Sequence, residues 1–479
     1  MRSHGTEVKG ALKSSLGRSL VSSGIGPLLS QALVLVSLPV LFRLYTPQDF
    51  GVWAAVQAIA VIAGSLVSLR FDLALVLERN LAAASQLLYA IIGVVLACSI
   101  VIALLLGITK GLLGFLGVDA TTAALGWCWL LLMGLGVALQ SWLMRNGAFG
   151  SISVAVVFNT VVTSIVQLAG GVWGHGIWLI IGSIAGQAAA FIFYISIIVS
   201  TDDRPVWRAL TIDEVWAVLR QHRRFPLFSL PFTVLSLVRE RAPIFIIGAF
   251  GPPALVGLYS QAWRLTHFPS GLTSAALRPV FFHRTATEGL AAQGKAVDRF
   301  VRWLLLASSP WIGFVVFGND ALFNLVLGSQ WQGAGHLAAL LVVPAALFTI
   351  TNWMDRLLDA VGRQDVNLKV EMVAGLTSVG VLWVALAAGG SLTLAVLLQS
   401  AALVLSYVGF IWICYGIAGW PRSALVLSLC VASAVGALTY LFLVLLGLVL
   451  PQIGVFLVGA ASAMSITTAI LMMVRKELQ

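Results

Sequence analysis

The sequence predicts an all-α polytopic membrane protein, and three observations support this fold class. Of the 479 residues, 60% are hydrophobic and only 10% are charged, whereas soluble domains carry roughly 25% charged residues. Mean hydropathy is +1.01. Apolar runs of about 20 residues recur from end to end, which is the length that a helix needs to cross a hydrocarbon layer of ~30 Å.

We predict about 14 transmembrane helices from these apolar runs. Spans 7 and 8 have the least regular pattern. The predicted limits are 18–42, 51–77, 82–108, 122–144, 152–173, 177–200, 226–249, 254–282, 299–318, 333–354, 368–388, 392–417, 423–447 and 452–474.

The orientation follows from the positions of the Lys and Arg residues. Outside the spans nearly all of them fall on one side, and only Arg43 and Lys110 fall on the other. Because cytoplasmic loops carry the excess of positive charge, both termini are predicted to be cytoplasmic. The same bias accounts for the net charge of +10, so nucleic acid is not expected as a partner.

One long loop and an internal repeat predict the domain organisation. The loop at 201–224 is amphipathic and basic, and a surface-lying helix is favoured over a binding domain. It separates an N-terminal lobe at 1–200 from a C-terminal lobe at 225–417, with two extra spans at 418–479. Near its start, each lobe has two separated prolines followed by a glycine. These are Pro39, Pro47 and Gly51 in the first lobe and Pro243, Pro252 and Gly257 in the second. Six spans in each lobe predict a parallel repeat with a central site between the halves.

Charged residues inside the spans are the candidate site. The segment LSLVRERAPIFIIG places Arg239, Glu240 and Arg241 about 20 Å along span 7. Arg264 lies about 15 Å from the outer end of span 8, with His267 at i+3 on the same face. An ionised group at mid-membrane costs about 2.5–3.5 kcal/mol, so these residues are expected to face the bundle interior or a water-filled cavity.

Two interpretations of these arginines remain open. Arg239 and Arg241 can pair with Glu240 or with the acidic residues Asp72 and Asp355, which would make them structural. Alternatively they form a cationic lumen for an anionic substrate, because the planar guanidinium donates two parallel hydrogen bonds to phosphate. Arg70 and Arg278 lie nearer the inner surface, where snorkelling could also satisfy them.

The remaining polar residues give weaker signals. Asn159, Gln167 and Gln187 could line a sugar path or bond helix to helix. No phosphate-cradling Gly-rich loop is found, and the six His and four Cys residues lack metal-ligand spacing. The prediction is therefore a protein that is not an enzyme and has no metal or other cofactor.

Several segments resemble bacterial polysaccharide exporters, the Wzx-type O-antigen flippases. LFRLYTPQDFGVW resembles the Thr-Pro-x-x-Phe-Gly turn after span 1, and LRFDLA resembles the Leu-Arg-aromatic-acid-x-Ala stretch that closes span 2. FGPPALVGLYSQAWRLTHFP resembles the span 7–8 region, and LLDAVGRQD resembles the segment after span 10. The likeness runs over roughly 40–420.

This resemblance implies membership of the multidrug/oligosaccharidyl-lipid/polysaccharide (MOP) exporter superfamily, with two six-helix lobes in a V shape plus two C-terminal helices. The implied activity is the flipping of an undecaprenyl-pyrophosphate-linked oligosaccharide across the bacterial inner membrane, for O-antigen, capsule or exopolysaccharide assembly. Possible partners are a polysaccharide polymerase and a chain-length regulator, besides membrane lipids. Two alternatives are a cation-coupled multidrug exporter of the same superfamily and a membrane glycosyl transferase or polymerase.

Site roles follow as expectations from this implied substrate. Arg239, Arg241 and Arg264 would hold the pyrophosphate, while Arg70 and Arg278 would attract it at the inner mouth. Asp72 and Glu240 are the candidate acids for ion coupling.

Overall fold

The computed structural model describes residues 26–108, 114–201, 204–206 and 211–478. The predicted start of span 1, Lys110 and parts of the long loop lie outside these residues. The described residues form α-helices and short helical turns without a strand, which confirms the predicted fold class. The helices are α1 Gly26–Leu44, α2 Pro47–Leu66, α3 Phe71–Leu77, α4 Leu81–Ile108, α5 Ala120–Arg145, α6 Phe149–Gly171, α7 Ile177–Ser200, α8 Ile212–Gln221, α9 Leu230–Phe250, α10 Pro253–Glu288, α11 Gly294–Leu327, α12 Ala334–Ala360, α13 Gln364–Ala387, α14 Leu392–Ala418, α15 Arg422–Gly447 and α16 Gln452–Leu478.

Twelve helices of the described chain are long and apolar enough to cross a membrane. Helices α9 and α10, the predicted spans 7 and 8, have 21 and 36 residues but are more polar. Three adjacent charges in α9, and a mean hydropathy lowered by polar residues in α10, distinguish these two helices from the others. The protein is thus a multi-pass membrane protein, and a total of 14 spans stays a prediction compatible with this structure.

The chain forms two compact units, Met1–Val256 and Gly257–Gln479, and the boundary falls inside α10. In the first unit α9 packs against α2. The predicted lobes, which end at 200 and begin at 225, are defined by the internal repeat and not by contacts within each unit. That division therefore stays a prediction.

Each unit has an aromatic core. In the first, the turn Thr46-Pro47-x-x-Phe50 begins α2 with a capping box between Thr46 and Asp49, and Phe50 is buried against Trp53 with ring centroids 5.9 Å apart. In the second, Trp353 of α12 is fully buried and stacks on Phe281 of α10 at 4.6 Å. The capping box at Thr46 thus fixes where α2 begins, and with it the position of the buried Phe50 and Trp53.

Glycines allow α6 and α7 to pack closely. Gly182 and Gly186 form a small-xxx-small pattern on α7, and a Cβ added to Gly186 would lie 2.5 Å from the carbonyl oxygen of Asn159. Replacing Gly186 by Leu is therefore expected to separate the two helices and to destabilise the protein by about 1–3 kcal/mol or more.

The measurement is the thermal unfolding midpoint of the purified protein in detergent. Gly93→Leu is the matched control, because a Cβ at this exposed glycine of α4 meets nothing within 4 Å. Equal midpoints for the two variants would contradict the close packing of α6 and α7.

Candidate functional site

The charged triplet of α9 lies near the middle of that helix. Arg239 and Arg241 are half-buried and Glu240 is exposed. Arg241 Nη2 lies 3.7 Å from Glu240 Oε1, and the side chains are 25% and 49% exposed. The predicted pairing with Glu240 is therefore present for Arg241, while the triplet as a whole keeps one net positive charge.

Arg264 is a half-buried residue of α10. His267, expected on its face, is buried and stacks on Trp263 with ring centroids 3.7 Å apart. His267 Nδ1 lies 3.1 Å from the carbonyl oxygen of Trp263. A carbonyl only accepts hydrogen bonds, so this contact is a hydrogen bond in the tautomer that carries the proton on Nδ1; Thr266 Oγ1 also lies 3.2 Å from Nδ1. His267 is thus a packed residue of the second unit, which also contacts Phe348 of α12.

Predicted span 2 is not one continuous helix. Leu69 and Arg70 have left-handed backbone angles, φ 47° and 62°, and they separate α2 from α3. Such angles cost of order 1 kcal/mol or more for residues with a side chain. Ser68 Oγ donates to Asp72 Oδ1 at 2.7 Å and accepts from the Arg70 N–H at 3.3 Å. The LRFD motif is therefore the site of a helix break, which corrects the prediction of one continuous span at 51–77.

The break also pairs two candidate site residues. Arg70 Nη1 lies 3.8 Å from Asp72 Oδ2, and Asp72 is only 7% exposed. Asp72 thus has both a hydroxyl donor and a guanidinium partner. This pairing reduces the positive charge that Arg70 can offer to another anion.

Ser68 is expected to stabilise this break. Replacing it by Ala removes a hydrogen bond to a buried carboxylate, and the expected loss is about 1–3 kcal/mol. Thermal unfolding of the purified protein measures the loss, and Ser99→Ala is the control because this buried serine donates only within α4, to Leu96 O. An unchanged midpoint for Ser68→Ala would show that the Ser68–Asp72 contact contributes nothing.

Arg278 is paired in the C-terminal half of α10. Its Nη2 contacts Asp355 Oδ2 of α12, and both side chains are about one-third exposed. Asp355 also lies 3.9 Å from Arg356, which bonds Asp359 at 2.9 Å. The structure thus links the DRLLDAVGRQD segment at 355–365 to α10.

The three uncharged candidates lie between α6 and α7. Gln167 is buried and donates to Leu179 O at 2.8 Å, so it bonds helix to helix. Asn159 donates to Gln187 at 3.2 Å across the same pair of helices, and both are partly exposed. Helix-to-helix bonding, one of the two predicted alternatives, is present for all three.

The structure brings part of the predicted site together within each unit. In the first unit it pairs Arg70 with Asp72 and Arg241 with Glu240, and in the second it pairs Arg278 with Asp355. Reasoning from sequence missed the Ser68–Asp72 contact, although its i, i+4 spacing was a usable signal. The Arg278–Asp355 pair had no such signal, because 77 residues separate the partners.

Comparison with known proteins supplies the family. The sequence model of the polysaccharide biosynthesis protein family matches residues 40–336, which is more than half of the chain. The chain belongs to this family. No curated protein sequence matches it. The family match covers the α2–α3 break as well as α9 and α10, and therefore includes all seven charged candidates.

Solved structures show the same fold. A lipid II flippase, MurJ, in an inward closed conformation matches with TM-score 0.74 and 13% identity, over 96% of this chain and 99% of that one. An inward-facing multidrug resistance MATE transporter of the MOP superfamily matches with TM-score 0.59 and 13% identity, over 82% and 97%. The MATE transporter VcmN of Vibrio cholerae matches with TM-score 0.50 and 16% identity, over 85% and 97%. This family member therefore has the fold that these MurJ and MATE structures share.

Proposed function

We propose that this protein flips an undecaprenyl-pyrophosphate-linked oligosaccharide from the cytoplasmic to the outer leaflet of the bacterial inner membrane. The family match over residues 40–336 carries the proposal, since it assigns the chain to polysaccharide biosynthesis. The likeness to the MurJ fold over nearly the whole chain supports a flippase. O-antigen, capsule and exopolysaccharide precursors all belong to this substrate class.

Arginines inside α9 and α10 support an anionic substrate. Arg239, Arg241 and Arg264 are all partly exposed within these helices. Exposure of a guanidinium to acyl chains would cost about 2.5–3.5 kcal/mol or more, so the exposed parts must face water. A wet, cationic surface inside the membrane suits a pyrophosphate, to which each guanidinium can donate two parallel hydrogen bonds. These three residues are the proposed pyrophosphate ligands.

The two inner arginines have a different proposed part. Arg70 and Arg278 already have carboxylate partners, Asp72 and Asp355. We propose that an arriving pyrophosphate at the inner mouth competes with these carboxylates. Such an exchange gives a transient contact, which suits attraction of the substrate better than tight holding.

Alternating access is the proposed mechanism, with the head group moving through the wet interior while the polyprenyl tail stays in lipid. The six-helix lobes at 1–200 and 225–417 would be its moving parts, with 418–479 as an addition. Energy coupling through Asp72 or Glu240 is part of this proposal. Glu240 is the better candidate, because it is 49% exposed whereas Asp72 is 7% exposed and already accepts from Ser68.

Localisation and partners follow from the same proposal. The excess of Lys and Arg on one side supports cytoplasmic termini and an inner-membrane location. A polysaccharide polymerase and a chain-length regulator would use the product outside. The precursor would be supplied by glycosyl transfer onto a polyprenyl carrier in the cytoplasm.

A cation-coupled multidrug exporter is the second candidate, favoured by the likeness to MATE transporters. The proposed flippase is preferred because net positive charge inside α9 and α10 repels cationic drugs. A membrane glycosyl transferase or polymerase is the third candidate, and its test is sugar transfer by the purified protein.

Deletion of the gene tests the proposed function. The expected result is accumulation of the lipid-linked oligosaccharide on the cytoplasmic face, with loss of surface polysaccharide and unchanged drug resistance. Complementation with the intact gene should restore both properties. Normal surface polysaccharide with increased drug sensitivity would instead favour the multidrug exporter.

A further inference from the structure

Helix α8 presents a stripe of exposed tryptophan and arginine side chains. It begins with a capping box between Thr211 and Glu214, and it packs against α4. Trp216 is 67% exposed, although it is a large apolar side chain. Arg220 follows it at i+4 on the same face of α8, Arg223 lies in the turn after the helix, and both are exposed.

The arginines after Trp216 carry unbalanced charge. The sequence 220–224 is RQHRR, with three arginines in five residues and no acid. Arg220, Arg223 and Arg224 are all exposed, and within the described part of the chain they have no ion-pair partner. By contrast, the exposed residues Arg284 and Arg302 pair with Glu288 and Asp298. The charge of 220–224 is therefore available to an external anion.

The position of this segment defines the depth at which that anion must lie. Helix α8 ends at Gln221, and Arg223 N bonds Arg220 O at 3.4 Å in the turn that follows. The chain is helical again from Arg224, where Leu227 N bonds Arg223 O at 3.3 Å, and it continues into α9. Arg224 precedes the start of α9 at Leu230 by six residues, or about 9 Å along a helix. Leu227, between them, is 62% exposed. With α9 as the predicted span 7, guanidinium groups this close to its start would lie near the lipid headgroups.

We infer that Trp216 and the 220–224 segment form a docking surface for anionic phospholipid headgroups of the surrounding membrane. Tryptophan is favoured at the membrane interface, and guanidinium groups bind phosphate oxygens through charge-assisted hydrogen bonds. A soluble polyanion is a poorer occupant, because the exposed apolar Trp216 and Leu227 flank the charges. This surface is separate from the arginines inside α9 and α10, and it does not depend on which substrate is transported.

Fluorescence quenching of Trp216 tests the inference in the full-length protein. The purified protein in neutral detergent is titrated with dibrominated phosphatidylglycerol or dibrominated phosphatidylcholine. The signal of Trp216 is the difference between the wild type and Trp216→Phe. Phosphatidylglycerol is expected to quench it at an at least about tenfold lower lipid fraction than phosphatidylcholine, and added salt should reduce this preference.

A triple variant tests the arginines. Arg220→Gln/Arg223→Gln/Arg224→Gln should weaken the apparent affinity for phosphatidylglycerol by about a hundredfold, since each interfacial arginine contributes about fivefold. The matched control, Arg284→Gln/Arg302→Gln/Arg363→Gln, removes the same charge from arginines that are similarly exposed but ion-paired, at 47%, 49% and 48%. The control should bind like the wild type.

Three outcomes would overturn the inference. Equal quenching by the two lipids in the wild type would show no preference for anionic headgroups, and this comparison needs no arginine variant to fold. An equal loss in the control triple variant would show an effect of net charge alone. Quenching that is displaced by undecaprenyl pyrophosphate but not by unlabelled phosphatidylglycerol would assign the surface to the transported substrate instead.

Discussion

Alanine at Arg239, Arg241 or Arg264, one at a time, is expected to reduce surface polysaccharide about tenfold or more at matched protein levels. Each guanidinium would lose charge-assisted hydrogen bonds to pyrophosphate, which contribute about 1.5–3 kcal/mol, and about 1.4 kcal/mol corresponds to a factor of ten. The measurement is surface polysaccharide in a deletion strain complemented with each variant.

Lysine variants separate charge from geometry. Lysine keeps the positive charge but lacks the planar fork, so export should fall to an intermediate level. Arg302→Ala is the control for loss of an arginine on a membrane helix, because Arg302 is 49% exposed and paired with Asp298 within α11. Unchanged export in all three alanine variants would remove the proposed pyrophosphate site.

The second large effect concerns Arg278 and Asp355. Removing either partner leaves a partly buried charge without its counterion, and each single alanine variant should lose about 1–3 kcal/mol of stability. This is less than the roughly 3–5 kcal/mol for a fully buried pair, because both side chains are about one-third exposed. The double variant should recover most of the loss. The thermal unfolding midpoints of the four proteins form a double-mutant cycle.

Export by the double variant also tests the role proposed for Arg278. A stable double variant with reduced export would support attraction of the substrate at the inner mouth, whereas normal export would assign Arg278 to structure alone. If the two single losses simply add in the double variant, Arg278 and Asp355 are not coupled. Asp298→Ala with Arg302→Ala provides a control cycle, since that pair lies on one helix and is largely exposed on the arginine side.

The break between α2 and α3 is a feature that the local sequence does not predict. The length of the apolar run predicts one span over 51–77, because the sequence has no helix-breaking Gly or Pro between Val67 and Arg70. The left-handed angles at Leu69 and Arg70 are maintained instead by side-chain contacts, with Ser68 bonding both Asp72 and the Arg70 backbone. Propensity describes each residue alone, and here contacts override it.

Sequence by itself determined the helical class, the approximate positions of the long apolar helices in the described chain and the polar character of α9 and α10. These properties depend on the free energy of transferring each side chain from water to lipid. These free energies add along the chain and can be summed without knowing which residues are neighbours in space. Only the tertiary structure decided which arginine has which counterion, as for Arg278 and Asp355 on α10 and α12. Ion pairing depends on distances of a few ångströms between residues far apart in the chain, and a linear pattern of hydrophobicity contains no such distances.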